Sequence, residues 1–234
     1  MNVASAKALV TGGSSGIGLE TARLLISRGA RVAICGRDRS KLDLEANEIG
    51  ALPIQADVSV EADVVRMIWT VVDHFGEDYN VLINNAGFGY FAPLVETKTE
   101  EMQRVHATNV LGAMMVARES AKHFVSQRYG NIVNVASTAG QRGYAGGTAY
   151  ASSKFALHGM TECWRAELRK SNIRVMQINP SEVQTPFFGA SGRERAASPR
   201  KLQPSDIAGA IISLLEMEDR GFVTEMAVWA TNPE

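Results

Sequence analysis

Cysteine is scarce in this chain, with Cys35 and Cys163 the only two in 234 residues. Both lie in apolar surroundings without metal-ligand spacing, so they read as buried thiols of a reducing compartment. An excess of either charge is also missing, since 24 Lys and Arg oppose 25 Asp and Glu, a net of −1. That balance gives no electrostatic reason for a nucleic-acid or membrane-surface partner. No apolar run approaches the ~18 residues that span a bilayer. The first residues lack the basic and apolar regions of a secretory signal. His74, His106, His123 and His158 are scattered, read as unpaired structural or surface groups, and suggest no metal site. There is no internal repeat, low-complexity tract or dividing linker. What remains is a cytoplasmic globular protein, 45% hydrophobic and 21% charged, of a size that buries one sizeable core.

What the chain does have is alternation of strand and helix. Lys7 to Val10 is a short apolar strand that runs into Thr11-Gly12-Gly13-Ser14-Ser15-Gly16-Ile17-Gly18, and helical periodicity follows to Gly29. A glycine-rich turn between a strand and a helix points a helix N-terminus at a diphosphate. Further strands are expected at Arg31 to Cys35, Pro53 to Ala56, Val81 to Ile83, Asn131 to Val135, Arg174 to Ile178 and Phe222 to Ala230. Helices are expected over Lys41 to Ile49, Glu61 to Phe75, Thr99 to Arg128, Tyr150 to Lys170 and Pro204 to Met217. Wholly apolar short strands mark a parallel sheet covered on both faces. The fold class is α/β, one doubly wound, mostly parallel, Rossmann-like sheet with helices on both faces, in a single domain.

Ligands of such sheets sit beyond the carboxyl ends of the strands. The second strand ends at Gly36-Arg37-Asp38-Arg39. An acidic residue at that position accepts from a ribose 2′-hydroxyl, whereas a guanidinium matches a 2′-phosphate. Arg37 therefore favours NADP(H) over NAD(H), with Asp38 keeping NAD(H) open. Asp57 and Val58 are placed at the adenine edge. Asn84-Asn85-Ala86-Gly87 closes the next strand beside the cofactor, or forms a turn with side-chain caps. Asn109 sits in an apolar setting and needs hydrogen-bond partners. Ser137 follows the strand Asn131 to Val135. Pro180, Val183 and Thr185 follow the strand after that, Thr185 as a candidate contact for the nicotinamide amide.

Tyr150 and Lys154 are four residues apart and share one face of a helix. A phenol titrates near ~10, and a cation beside it lowers that value toward useful acid–base chemistry. Phe88, Tyr90, Tyr144, Phe187 and Phe188 suggest an apolar pocket, with Arg193, Arg195 and Arg200 facing an anionic carrier or water. Phe187 to Gln203 reads as a mobile substrate lid or a frayed loop.

Taken together, Thr11-Gly-Gly-Ser-Ser-Gly-Ile-Gly18, Asn84-Asn-Ala-Gly87, Asn109, Ser137 and Tyr150-x-x-x-Lys154 resemble the short-chain dehydrogenase/reductase family over nearly the whole chain. Within it the chain looks most similar to 3-oxoacyl-[acyl-carrier-protein] reductase-like and sepiapterin-reductase-like enzymes. The resemblance implies hydride transfer between NADP(H) and a carbonyl or secondary alcohol, a 3-oxoacyl thioester being one candidate. It implies Tyr150 as general acid, Lys154 as the group that lowers the phenol's pKa and binds the nicotinamide ribose, Ser137 on the substrate oxygen, and Asn109 holding a water in a proton relay. Cofactor contacts fall on Gly12, Ser14, Ser15, Gly16, Ile17, Gly18, Arg37, Asp57, Val58, Asn85, Ala86, Gly87, Tyr150, Lys154, Pro180, Val183 and Thr185. A homo-oligomer, dimer or tetramer, is also implied, with Met114, Met115, Phe155 and Trp164 as candidate contacts or, equally, plain core residues. A nicotinamide-dependent epimerase or dehydratase and a non-catalytic nucleotide sensor are the alternatives. The former usually needs a longer substrate domain, and the latter is expected to lose the tyrosine or lysine. Pro180-Ser181 departs from the family's usual Pro-Gly and narrows the expected pocket near the nicotinamide, and a C-terminal end without paired glycines departs from the acyl-carrier-protein reductases.

Overall fold

The computed structural model describes residues 1–185, 187 and 198–232. Phe188, Arg193, Arg195 and most of the expected lid lie outside them. Seven parallel strands form one sheet in the order β3-β2-β1-β4-β5-β6-β7. They are β1 (Lys7–Thr11), β2 (Arg31–Gly36), β3 (Leu52–Gln55), β4 (Val81–Asn84), β5 (Gly130–Val135), β6 (Ile173–Pro180) and β7 (Glu225–Val228). The last strand is half as long as the sequence suggests. Its residues are only partly buried at the sheet edge, where fewer side chains hold the backbone extended. Pro53 is tolerated in β3 because that strand forms the opposite edge and pairs only with β2.

The helices are α1 (Gly16–Ser27), α2 (Arg39–Ile49), α3 (Glu61–Phe75), α4 (Thr99–His106), α5 (Ala113–Gln127), α6 (Thr148–Leu168) and α7 (Pro204–Glu216). Alternate residues of a strand face opposite sides. Ala8 and Val10 of β1 accordingly join a core with Leu25 of α1, Leu42 of α2 and Ile207, Ile211 and Leu215 of α7. Leu9, between them, joins the other core with Met67 and Val71 of α3 and Val116 and Phe124 of α5. Each fully buried aliphatic side chain of this kind contributes about 1.5–3 kcal/mol.

The helix expected unbroken from Thr99 to Arg128 is interrupted by a π-helical turn, Ala107–Gly112, that contains buried Asn109. Gly112 explains part of the tight fit there, since a Cβ on it would lie 2.8 Å from the Val58 carbonyl oxygen. Among the described residues no helix is long and apolar enough to cross a membrane. Met115 is core, and Met114 and Trp164 are partly buried against it, the core burial that is the alternative for these side chains. Phe155 and Leu111 are exposed instead. Cys35 is buried, but Cys163 is exposed on the outer face of α6, contrary to the expectation for both thiols.

The order of strands fixes where a ligand can lie. The chain winds outward in one direction from β1 through β2 to β3, and in the other from β4 onward, so the carboxyl ends of β1 and β4 flank the switch point.

Candidate active site

At that switch point the two strand ends are tied together. Thr11 Oγ1 accepts from the backbone N–H groups of Asn85 and Ala86, both at 2.9 Å, and Asn85 Nδ2 donates to the Thr11 carbonyl oxygen at 2.9 Å. Asn84 turns the other way and donates from Nδ2 to the Ala113 carbonyl oxygen at 2.9 Å. The asparagine pair thus fastens the glycine turn to β4 and α5 to the sheet.

Gly16 has a φ of 54°, a left-handed conformation that costs a side-chain-bearing residue strain. Gly18 is needed for space, because a Cβ there would lie 2.4 Å from the Gly12 carbonyl oxygen. Ser15 caps α1 without a side-chain hydrogen bond, and no acidic residue occupies the first turn. The leading N–H groups of a twelve-residue helix are therefore left facing a cavity of about 880 Å³. Free N–H groups and a positive dipole end suit a diphosphate. The residues present fit the phosphates of a dinucleotide.

The cavity runs past Gly12, Ser14, Ser15, Gly16, Ile17, Gly36, Arg37, Asp57 and Val58 at one end. Gly18 lies behind the turn rather than on the wall. Arg37 is largely exposed and stands 4.0 Å from the Asp57 carboxylate. Asp38, the residue that kept NAD(H) open, is spent on capping: its side chain accepts from the Lys41 backbone N–H at 3.1 Å. Lys41 itself lines the cavity. Sequence reading missed it because an exposed lysine in the first turn of a helix has no distinguishing pattern.

The other end brings Asn85, Ala86, Gly87, Ser137, Tyr150, Lys154, Pro180, Val183 and Thr185 onto the same walls. Val183 is fixed by a parallel bridge to Leu202. Ser137 Oγ accepts from the Ala139 N–H at 3.1 Å, which holds the hydroxyl at the end of β5. Tyr150 stands in the first turn of α6 with Phe91 and Phe187 against its ring, at 5.5 and 5.4 Å between centroids. Burial pushes the phenol up to about 12, while hydrogen bonding from Ser137 pulls the other way.

This corrects the expected lowering by Lys154. The lysine is buried, and its Nζ donates to the Val135 carbonyl oxygen at 2.9 Å, 5.8 Å from the centre of the Tyr150 ring. Its own burial lowers it to about 8. Loss of water is the largest cause for the phenol and the cause for the ammonium.

Asn109 has its partners inside the protein. Nδ2 donates to the Phe88 carbonyl oxygen at 2.9 Å and to Ser153 Oγ at 3.0 Å, and Oδ1 accepts from the Phe88 N–H at 3.0 Å. Both amide hydrogens are used to tie the loop after β4 to α6.

Tyr90 is not on the cavity wall; its hydroxyl donates to the Glu96 carbonyl oxygen. Phe91 takes its place, and Gln141, Arg142, Tyr144 and Trp229 complete that side. The histidines are not unpaired. His158 meets Gln177 at 2.9 Å, His106 meets Ser152 at 2.9 Å, and His74 meets Arg31 at 3.2 Å. His123 stacks on Tyr79 at 5.8 Å between centroids. Among the described residues no cluster of metal ligands forms.

Comparisons with known proteins agree with this geometry. The family model for short chain dehydrogenases matches residues 6–196. An uncharacterized oxidoreductase of Bacillus subtilis is 36% identical over 187 residues, covering 76% of this chain and 52% of its own length. The 3-oxoacyl-[acyl-carrier-protein] reductase of Thermotoga maritima is 33% identical over 232 residues, covering 94% of both chains. Among solved structures, an alcohol dehydrogenase from Thermococcus sibiricus complexed with 5-hydroxy-NADP superposes with a TM-score of 0.88 at 26% identity, over 97% of this chain and 98% of that one. A 3-ketoacyl-(acyl-carrier-protein) reductase from Brucella melitensis complexed with NADH gives 0.87 at 30% identity, over 96% of each. With one parallel sheet, a dinucleotide-shaped turn and these relatives, the chain is an oxidoreductase belonging to the short-chain dehydrogenase/reductase family.

Proposed function

We propose that the protein reduces the carbonyl group of a small-molecule ketone, or oxidises the corresponding secondary alcohol, with NADP(H) preferred over NAD(H). The observation that carries this reading is Tyr150 on a cavity wall beside Ser137, with the glycine turn on the same cavity. When bound, the nicotinamide supplies or accepts the hydride. Tyr150 gives its proton to the carbonyl oxygen as negative charge grows there, and Ser137 donates a hydrogen bond to the same oxygen. A phenol held near 12 stays protonated at neutral pH, which suits the reductive direction. Lys154 steadies the end of β5 through Val135 and binds the nicotinamide ribose. Asn109 is a positioning residue that aligns Phe88 and α6.

The cofactor preference rests on Arg37 and Lys41 flanking Gly36, with the Asp38 carboxylate occupied in capping α2. Thr185 stands beside the glycine turn, 3.2 Å from where a Cβ on Gly16 would lie, and lines the same cavity as Tyr150; the nicotinamide amide is its proposed partner. A 3-oxoacyl thioester is one candidate substrate, since the Thermotoga maritima relative is named for that reaction. Self-association through α4 to α6 is supported by exposed Leu111 and Phe155. A sedimentation profile with monomer alone removes that part of the proposal.

An NADPH-consumption screen over acetoacetyl thioesters, diketones, pterins and sugars tests the whole reading. Turnover of at least one ketone class is expected. Tight NADPH binding without turnover of any class replaces the reductase with a nucleotide sensor.

A further inference from the structure

The cavity is not electrically neutral at its substrate end. Of the charged residues on its walls, Arg37, Lys41 and Asp57 lie toward the adenine, and Lys154 is turned to the Val135 carbonyl. Glu182 is paired with Lys201 at 2.7 Å. Arg142 differs: it lines the cavity, is exposed to solvent, and makes no ion pair or hydrogen bond among the described residues.

The segment that leads into it is held at Gln141. Ser137 begins a single 3₁₀ turn, Thr138–Gly140, and the Gln141 N–H donates to the Thr138 carbonyl oxygen at 3.2 Å. The Gln141 side chain is tied across to the Glu225 carboxylate on β7. A guanidinium therefore springs from an anchored segment five residues beyond Ser137, at the rim of the cavity. Deeper in, Phe91 and Phe187 flank the Tyr150 ring and make the surroundings of the reacting oxygen apolar. Apolar walls with one convergent cation select for orientation as well as for charge.

We propose that Arg142 is a specificity-determining residue that binds an anionic group, so that the preferred ketones carry an aromatic or alkyl group beside the carbonyl and a carboxylate or phosphate farther out. This rests on the ketone-reductase reading and adds the substrate class. Arg142 touches a part of the substrate remote from the reacting carbon, so its effect falls on binding more than on turnover.

The test pairs two ketones that differ only in charge, 4-oxo-4-phenylbutanoate and its methyl ester, with the NADPH-loaded enzyme. The acid is expected to show the higher kcat/KM. Arg142→Met is expected to lower the acid-to-ester ratio by about 10- to 100-fold, the scale of a charge-assisted hydrogen bond, with the loss carried by KM for the acid. Arg142→Lys keeps the charge and is expected to retain part of the ratio, which a merely structural role does not require. An unchanged ratio in Arg142→Met, or a wild type that favours the ester, overturns the proposal. If neither ketone is reduced, calorimetric titration of the acid into the NADPH-loaded protein decides; equal affinity in wild type and Arg142→Met, or no binding to either, overturns it. Reduction of the ester without preference for the acid removes the Arg142 inference alone. Failure of every ketone in the wider screen removes the reductase reading itself.

Discussion

Lys154 donates from Nζ to the main-chain carbonyl oxygen of Val135 at 2.9 Å, so the lysine of α6 is fastened to the end of β5. The ammonium is nearly out of contact with water, and burial lowers its pKa from 10.5 to about 8. Holding this charge costs stability, and the cost depends on pH in a direction that can be worked out.

In the unfolded chain the lysine keeps its proton up to about 10.4. In the folded protein it loses it near 8. Between those values the unfolded state binds more protons, so stability rises with pH. Denaturant unfolding without added nucleotide is expected to show wild type gaining on Lys154→Met by up to about 1 kcal/mol per pH unit between about pH 8 and 10. Cys35 and Tyr150, both raised by burial from 9.0 and 10.0, act in the opposite sense from about those values upward, and they are common to the two proteins, so the difference between the proteins reports the lysine. A difference between them that is flat with pH removes the buried, charged lysine from the account.

Gly18→Ala places a methyl group 2.4 Å from a backbone oxygen of the glycine turn. Overpacking of this kind costs about 1–3 kcal/mol. NADPH affinity is expected to fall at least tenfold (about 1.4 kcal/mol) as the turn shifts. Gly209→Ala on α7, where an added Cβ meets nothing within 4 Å, is the contrast. It is expected to leave NADPH affinity unchanged and raise stability by about 0.5–1 kcal/mol. Equal behaviour of the two variants in fluorescence titration contradicts the close approach of α1 to the turn.

If the cofactor preference proposed above holds, Arg37→Ala combined with Lys41→Ala is expected to weaken NADPH binding by about 10- to 100-fold and to leave NADH binding within about twofold, since NADH has no 2′-phosphate for the cations to meet. Parallel titrations with the two nucleotides check this. An equal loss for both, or tighter wild-type binding of NADH, reverses the preference.

The strand-and-helix order, the parallel sheet and the residues around Tyr150 were legible from sequence because each leaves a local trace. Apolar runs mark buried strands, glycines mark the turn, and four-residue spacing puts Tyr150 and Lys154 on one helix face. The features that were not legible depend on three-dimensional surroundings. The π-helical turn at Asn109 ends at Gly112 in close approach to Val58, a residue remote in sequence. The fate of Asp38 as a helix cap depends on where α2 begins. Arg142 and Lys41 look like ordinary solvated cations until the cavity is drawn around them. The phenol's pKa was misjudged for the same reason: spacing reveals a nearby cation, but not how much water the fold removes from both groups.

The most direct measurement is kcat for Tyr150→Phe, alongside its NADPH dissociation constant, on whichever ketone the screen finds. Removing the phenolic hydroxyl is expected to lower kcat by at least ~10²-fold, the scale of a lost acid–base group, with NADPH affinity within about twofold of wild type. Turnover close to wild type in that variant contradicts a reaction centred on Tyr150.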